Sequence, residues 1–154
     1  MDGAEAKHAA SVRRLRAGEK LQVTDGFGIR VECHVLESSN SSLDLEVITK
    51  SEESSGVPSI TLVQALAKSD RDELAIQAAT ELGATKILPW AANRSISKWV
   101  DDKKAKGKAR WQTIVNEAAK QSLRVWNPEV LEIVDSKHLS SELSKHDLVL
   151  VLDP

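Results

Sequence analysis

Apolar and polar residues alternate through the first third of the chain. Leu21 and Val23, then Ile29, Val31, Cys33 and Val35, then Leu43, Leu45 and Val47 recur at every second position, the spacing of strands with one buried face. Between the first two runs stands Asp25-Gly26-Phe27-Gly28, a hairpin turn signal. Ser38 to Ser42 reads as a polar loop. Ser51 to Gly56 (Ser-Glu-Glu-Ser-Ser-Gly), with Pro58 after it, is the best linker in the chain. It divides the sequence into 1–56 and 57–154.

Beyond that linker the period changes. Ile60 to Leu66 is a short apolar run that predicts a buried strand. Asp70 with Glu73 three positions on resembles a capping box, and Leu74, Ala75, Ala78, Ala79 and Leu82 then fall on one helical face, stopped by Gly83. Ile87 to Trp90 predicts a second strand. Residues 109–124 predict a second helix with Trp111, Ile114, Val115, Ala118 and Ser122 on one side, and Asp101 to Lys108 reads as a loop. Val130 to Val134 predicts a third strand, 139–144 a short helix and Leu148 to Leu152 a fourth strand. Alternating strands and helices with continuously apolar strands predict a parallel sheet covered on both faces. The last strand is apolar throughout, as a central strand would be, which leads one to expect further chain after Pro154.

Composition adds exclusions. Apolar residues make up 41% and charged residues 29%, a soluble globular balance. One cysteine excludes a disulfide framework and a cysteine-based metal cluster. No stretch approaches the ~20 apolar residues that cross a bilayer, and residues 1–10 lack the apolar core of a secretion signal. No metal and no membrane partner is expected, and the cytoplasm is the expected location. The net charge is −2, but it is unevenly spread. Residues 7–30 carry six bases against Glu19 and Asp25. Residues 37–56 carry five acids against Lys50, and 98–110 six bases against Asp101 and Asp102.

Several motifs have a chemical and a structural reading. Gly26-Phe27-Gly28 precedes a strand rather than a helix, so it is a turn and not a phosphate loop. Cys33 and His34 are strand neighbours pointing to opposite faces and cannot form a catalytic pair. Cys33 is expected in the core, and His8, His138 and His146 on the surface. Of the four tryptophans, Trp99 beside Lys98 is the one candidate for stacking on a nucleobase. Arg13, Arg14 and Arg16 read equally as a solvated edge or as phosphate contacts. Glu117, Gln121 and Arg124 share a stripe bordering the apolar face of the second helix. That stripe either lines a pocket or interface or joins Glu117 to Arg124 in a salt bridge.

In order along the chain, HAASVRRLRAG at residues 8–18, ITLVQALAKSDRDELAIQAATELGATKILPW, Asn93-Arg94-Ser95, RWQTIVNEAAKQSLR and Pro128 resemble the RsmE family of ribosomal RNA methyltransferases. The likeness covers nearly all of 8–154. It implies an α/β protein in which a small N-terminal PUA-like β-barrel for RNA (1–56) precedes the first part of a SPOUT-type parallel-sheet domain (57–154). It also implies a homodimer, S-adenosyl-L-methionine as methyl donor, and methylation of N3 of a uridine in small-subunit (16S) ribosomal RNA. The family's Gly-Pro-Glu-Gly-Gly loop and Leu-Arg-x-Glu-Thr-Ala segment, which build the knot and most of the cofactor site, do not occur in this sequence. The alternative class is an RNA-binding module without catalysis.

Within this resemblance the catalytic candidates are Arg94, Gln121 and Arg124. A neutral uracil imide is a poor nucleophile, so an arginine aimed at a carbonyl would stabilise the anion left by deprotonation at N3. Arg94 comes first because it follows the Ile87–Trp90 strand, at whose carboxyl end sites form. Gln121 would bond the base edge, and Glu117 is a candidate base. Arg13, Arg14, Arg16 and Lys98 are the RNA-binding candidates. Leu152, Asp153 and Pro154 are the cofactor-binding candidates.

Overall fold

The computed structural model describes residues 1–11, 13–39 and 42–152, and the chain separates into two compact units, Met1–Ser55 and Gly56–Pro154. The first unit is an antiparallel sheet of order β1-β2-β3, from β1 (Lys20–Thr24), β2 (Ile29–Ser38) and β3 (Leu43–Glu52). The alternation places Val35 opposite Leu45 and Cys33 opposite Val47. Val35 and Leu43 are buried against Ala9 of α1 (Gly3–Ser11). This helix is absent from the sequence expectation because its whole buried face is two alanines, Ala6 and Ala9, too small to mark a period. The Asp25–Gly28 hairpin is as expected: the Asp25 carboxylate accepts the N–H groups of Phe27 (2.7 Å) and Ile29 (3.0 Å). Ser39 and Ser42 close the next loop through their hydroxyls, while Asn40 and Ser41 of that loop lie outside the described residues, as does Val12. Two register shifts in β2–β3 bend the sheet. Among the described residues it stays open, with no pairing of β3 back to β1, so it is a three-stranded sheet rather than a closed barrel. β3 also runs to Glu52, into the stretch read as linker.

The second unit is built on a parallel sheet. Strands β4 (Thr61–Ala65), β5 (Lys86–Ala91) and β6 (Glu129–Val130) stand in that order, and β7 (Val134–Asp135) pairs with the far end of β5. The expected third strand is thus two short bridges. Helices α2 (Arg71–Glu81) and α3 (Asp102–Gln121) follow β4 and β5, and α4 (Leu139–Leu143) follows β7. The two long helices pack on each other, α2 also on β4 and α3 on β6. In β5 the successive residues Ile87, Leu88 and Pro89 are all buried, so both faces of this strand are covered. The core joins Leu66, Ile76, Ile87, Trp111, Val115 and Val130.

Four further expectations are corrected. The run 101–108 is the first turns of α3, because Ala105 and four lysines are good helix formers. Asp70 makes no capping bond and Glu73 pairs elsewhere. The buried face of α2 is Asp72, Ile76 and Thr80, and Leu74 and Leu82 are 65% and 87% exposed. Two of those buried positions are polar residues satisfied by backbone, Thr80 by the Ile76 carbonyl, so a count of apolar residues selects the wrong face. Finally, Leu148 to Leu152 forms no strand and is exposed. An apolar run becomes a strand only when an edge pairs with it.

Gly107, inside α3, lies under the Trp99 ring, and a Cβ there would fall within the indole. Gly107→Ala should therefore destabilise the chain by about 1–3 kcal/mol, despite a helix-propensity gain of about 1 kcal/mol. Urea unfolding followed by tryptophan fluorescence checks this, and a stabilised variant would contradict it.

Candidate functional site

The carboxyl ends of β4, β5 and β7 meet on one side of the parallel sheet, since Ala65 pairs with Trp90 and Ala91 with Asp135. Leaving β4, the Leu66 N–H bonds the Trp90 carbonyl at 3.0 Å. The chain then turns into α2 through Ser69 and Asp70, both left-handed with φ of 59° and 55°. Two such non-glycine residues in succession are strained by on the order of 1 kcal/mol or more each. The buried Asp72 carboxylate holds the turn, accepting the N–H of Ala67 and of Glu73 at 3.0 Å each. Glu73 in turn takes the guanidinium of Arg110, which bonds it through Nη2 at 2.8 Å and also through Nε. That bond raises the Arg110 pKa, with a smaller contribution from the charge of Asp70.

Leaving β5, the chain makes a turn closed by the Ser95 N–H on the Ala92 carbonyl (3.0 Å), with Arg94 exposed within it. Arg94 thus sits where the sequence expectation placed it, beyond the carboxyl end of the strand. Lys98 is also exposed. Its neighbours Ser97 and Trp99 turn inward and line a crevice of about 190 Å³ with the acids Asp70, Asp72 and Glu73 and with Arg110, among others. Trp99 meets Trp111 edge-on at 4.9 Å and packs on the core. Its ring is a packing element, which corrects its reading as a stacking platform. Leaving β7, the Asp135 carboxylate accepts the His138 N–H (2.9 Å), faces His138 Nδ1 (2.8 Å) and accepts the Lys137 N–H (3.0 Å). The His138 bonds hold its pKa below the ordinary value of 3.8. The Trp90 indole N–H donates to the Ser136 hydroxyl at 3.2 Å and ties β5 to this loop.

Gln121 and Arg124 are placed elsewhere. They follow α3 to the amino end of the strands, so a single chain does not bring them to Arg94. The Arg124 guanidinium donates through Nη1 to the carbonyls of Thr80 (2.7 Å) and Ala84 (2.6 Å), closing the C-terminus of α2. Burial lowers its pKa. The salt bridge to Glu117, one of the two readings of the stripe, does not form: these bonds take its place, and Leu123 adopts a left-handed turn (φ 56°) that carries Arg124 off the helical stripe. Sequence reasoning missed the Asp72 clamp and the Glu73–Arg110 pair. The clue was an aspartate on a helical face that otherwise buries Ile76.

A second crevice, of about 530 Å³, lies beside α3 and is lined by Asp101, Asp102, Lys104, Lys108, Gln112 and Glu132 among others, with Lys108 paired to Glu132. In the first unit Arg13, Arg14 and Arg16 are exposed after α1, and none of the three side chains forms an ion pair with a described residue. Leu152 is 96% exposed, and Asp153 and Pro154 lie outside the described residues. Among the described residues no group of three or more His, Cys, Asp or Glu could hold a metal ion, and no helix is long and apolar enough to cross a membrane.

Comparison with known proteins adds the following. A model of the RNA methyltransferase domain matches residues 53–154, and one of the RNA methyltransferase PUA domain matches residues 1–48. The chain is 38% identical over 156 residues to the ribosomal RNA small subunit methyltransferase E of Mycobacterium bovis, covering 99% of this chain and 60% of that protein. It is 33% identical over 151 residues to the protein of the same name from Bacillus subtilis, covering 97% and 59%. Among solved structures it is similar to a ribosomal RNA small subunit methyltransferase E from Neisseria gonorrhoeae bound to S-adenosyl methionine, with a TM-score of 0.77 and 29% identity over 90% of this chain and 57% of that one. The chain thus spans about 60% of the length of the curated relatives it matches.

Proposed function

This chain belongs to the RNA methyltransferase family, and we propose on that premise that it grips RNA and presents a base within an S-adenosyl-L-methionine-dependent methyltransferase of small-subunit ribosomal RNA. In this reading residues 1–56 are a PUA-like RNA-binding unit and 57–154 the N-terminal part of a SPOUT methyltransferase domain. The target atom is N3 of a uridine, the protein works as a homodimer, and it acts in the cytoplasm. The observation that carries the reading is Arg94, an exposed guanidinium without an ion pair among the described residues, at the carboxyl end of a parallel strand.

At that position Arg94 would donate to a uracil carbonyl and stabilise the imide anion as the N3 proton leaves. Gln121 and Arg124 reach the same base only from a partner copy, since they occupy the other end of the sheet. The methyl donor in this reading is S-adenosyl-L-methionine, as bound by the similar Neisseria gonorrhoeae protein; of the expected cofactor-binding residues Leu152 is exposed, and Asp153 and Pro154 lie outside the described residues.

The RNA-gripping part of the reading is tested on the chain itself. Arg13, Arg14 and Arg16 would neutralise phosphates, and each contact to single-stranded nucleic acid contributes about 0.7 to the slope of log affinity against log salt. Replacing all three by alanine should lower that slope by about 2 for a labelled single-stranded RNA. A wild-type affinity independent of salt would contradict the reading.

A further inference from the structure

We infer, resting on the methyltransferase reading above, that His138 is the general base of the proposed reaction. It takes the N3 proton of the uracil on Nε2 while Asp135 holds its Nδ1. The removal of that proton is the one step which the reading above leaves without a residue.

The sheet topology puts His138 and Arg94 in neighbouring loops. β5 and β7 run parallel, with Ala91 opposite Asp135. Arg94 follows Ala91 by three residues, and His138 follows Asp135 by three. That pairing fixes both loops at their starts, and so does the Trp90 indole, which donates to the Ser136 hydroxyl at 3.2 Å. N3 of uracil lies between the two ring carbonyls. A donor to a carbonyl and a base for the N3 proton must therefore reach the same edge of the ring, which calls for adjacent loops of this kind.

The Asp135 carboxylate faces His138 Nδ1 at 2.8 Å and also accepts the N–H groups of His138 and Lys137. The bonds from His138 keep it ionised, so it accepts from a protonated Nδ1. That selects the neutral tautomer whose lone pair is on Nε2. The side chain is 76% exposed, and Nε2 bonds no described residue, so it is open to an incoming nucleobase. Of the side chains just beyond these strand ends, an imidazole matches the task, because a general base works best when its basicity lies near the operating pH. The acids there are engaged: Asp72 by two backbone N–H groups and Glu73 by Arg110, with Asp70 in the field of Arg110. Charged lysines and arginines have no lone pair to offer. Glu117 stands one turn before Gln121 on α3, towards the amino ends of the strands. In the step itself the N3–H bond breaks and an Nε2–H bond forms. The electron pair stays on N3 as an imide anion, which Arg94 stabilises through a carbonyl, and is the nucleophile for methyl transfer. Asp135 stabilises the imidazolium, which afterwards releases its proton to water.

The test uses the whole protein. Nitrogen NMR of histidine-labelled protein, with the His138 signals assigned by their loss in His138→Gln, should show the Nδ1–H tautomer. The Nε2–H tautomer overturns the assignment, because it leaves no lone pair on Nε2. His138→Ala should lower the rate of N3-methyluridine formation by about 10²- to 10⁴-fold. Imidazole added to the buffer should restore part of that loss. The loss should also shrink on RNA transcribed with 5-fluorouridine, whose N3 proton leaves more readily without a base. A merely structural role would respond to neither. The side chain is exposed, so the unfolding midpoint should not move. A wild-type rate in His138→Ala, or a loss that neither imidazole nor 5-fluorouridine lessens, overturns the assignment and leaves the methyltransferase reading standing. Label placed by the wild type in any other nucleoside, or none in the RNA, overturns that reading and the assignment with it.

Discussion

Arg94→Ala in the whole protein is expected to lower the rate of methyl transfer to small-subunit ribosomal RNA by about 10²- to 10³-fold, the loss typical of a donor that stabilises a developing oxyanion. The side chain is exposed in the Ala92–Ser95 turn. Its removal leaves no buried group unpaired, so the unfolding midpoint should be unchanged. Single-turnover kinetics with saturating RNA separate this from a binding defect, because an interaction made only in the transition state lowers kcat and kcat/KM together. Arg94→Lys keeps the charge but loses the planar fork, and should recover part of the rate. A variant that turns over like the wild type removes Arg94 from the mechanism.

Arg124→Ala is expected to act in the opposite way, on stability first. Its guanidinium holds the carbonyls of Thr80 and Ala84. Hydrogen bonds to a charged group contribute about 1.5–3 kcal/mol net, and partners left unsatisfied add to the loss. A destabilisation of about 2–4 kcal/mol by urea unfolding is the expected result. The position is half-buried, so water can partly replace the lost donors, which favours the lower end of that range. A wild-type unfolding midpoint for Arg124→Ala would show that the cap contributes nothing and would leave Arg124 free for a role at the base.

These two arginines show what the sequence could and could not reveal. The place of Arg94, though not its role, was legible because the apolar run Ile87–Trp90 ends a few residues before it, and the end of a parallel strand is a place fixed by topology. The strands of the first unit were legible from their alternation: Val35 pairs with Leu45 and Cys33 with Val47 in the stretch between the two register shifts, although Val47 itself is exposed. Arg124 was misplaced because a helical wheel assumes the helix continues, whereas Leu123 breaks the period with a positive φ. The face of α2 was misread because Asp72 and Thr80 are buried polar residues whose partners are backbone groups. Such partners are invisible to an apolar count. The crevice itself depends on two loops about 30 residues apart in sequence, one strained and one packed under Trp99. No local pattern brings them together.

The proposed reaction requires that this fold present the N3 face of a uridine in small-subunit ribosomal RNA for methylation. The most direct test incubates the whole protein with unmethylated small-subunit ribosomal RNA and isotope-labelled S-adenosylmethionine, digests the RNA to nucleosides and identifies the labelled product by mass spectrometry. The account predicts label in N3-methyluridine. Label in any other nucleoside, or none in the RNA while the protein binds it, would contradict it.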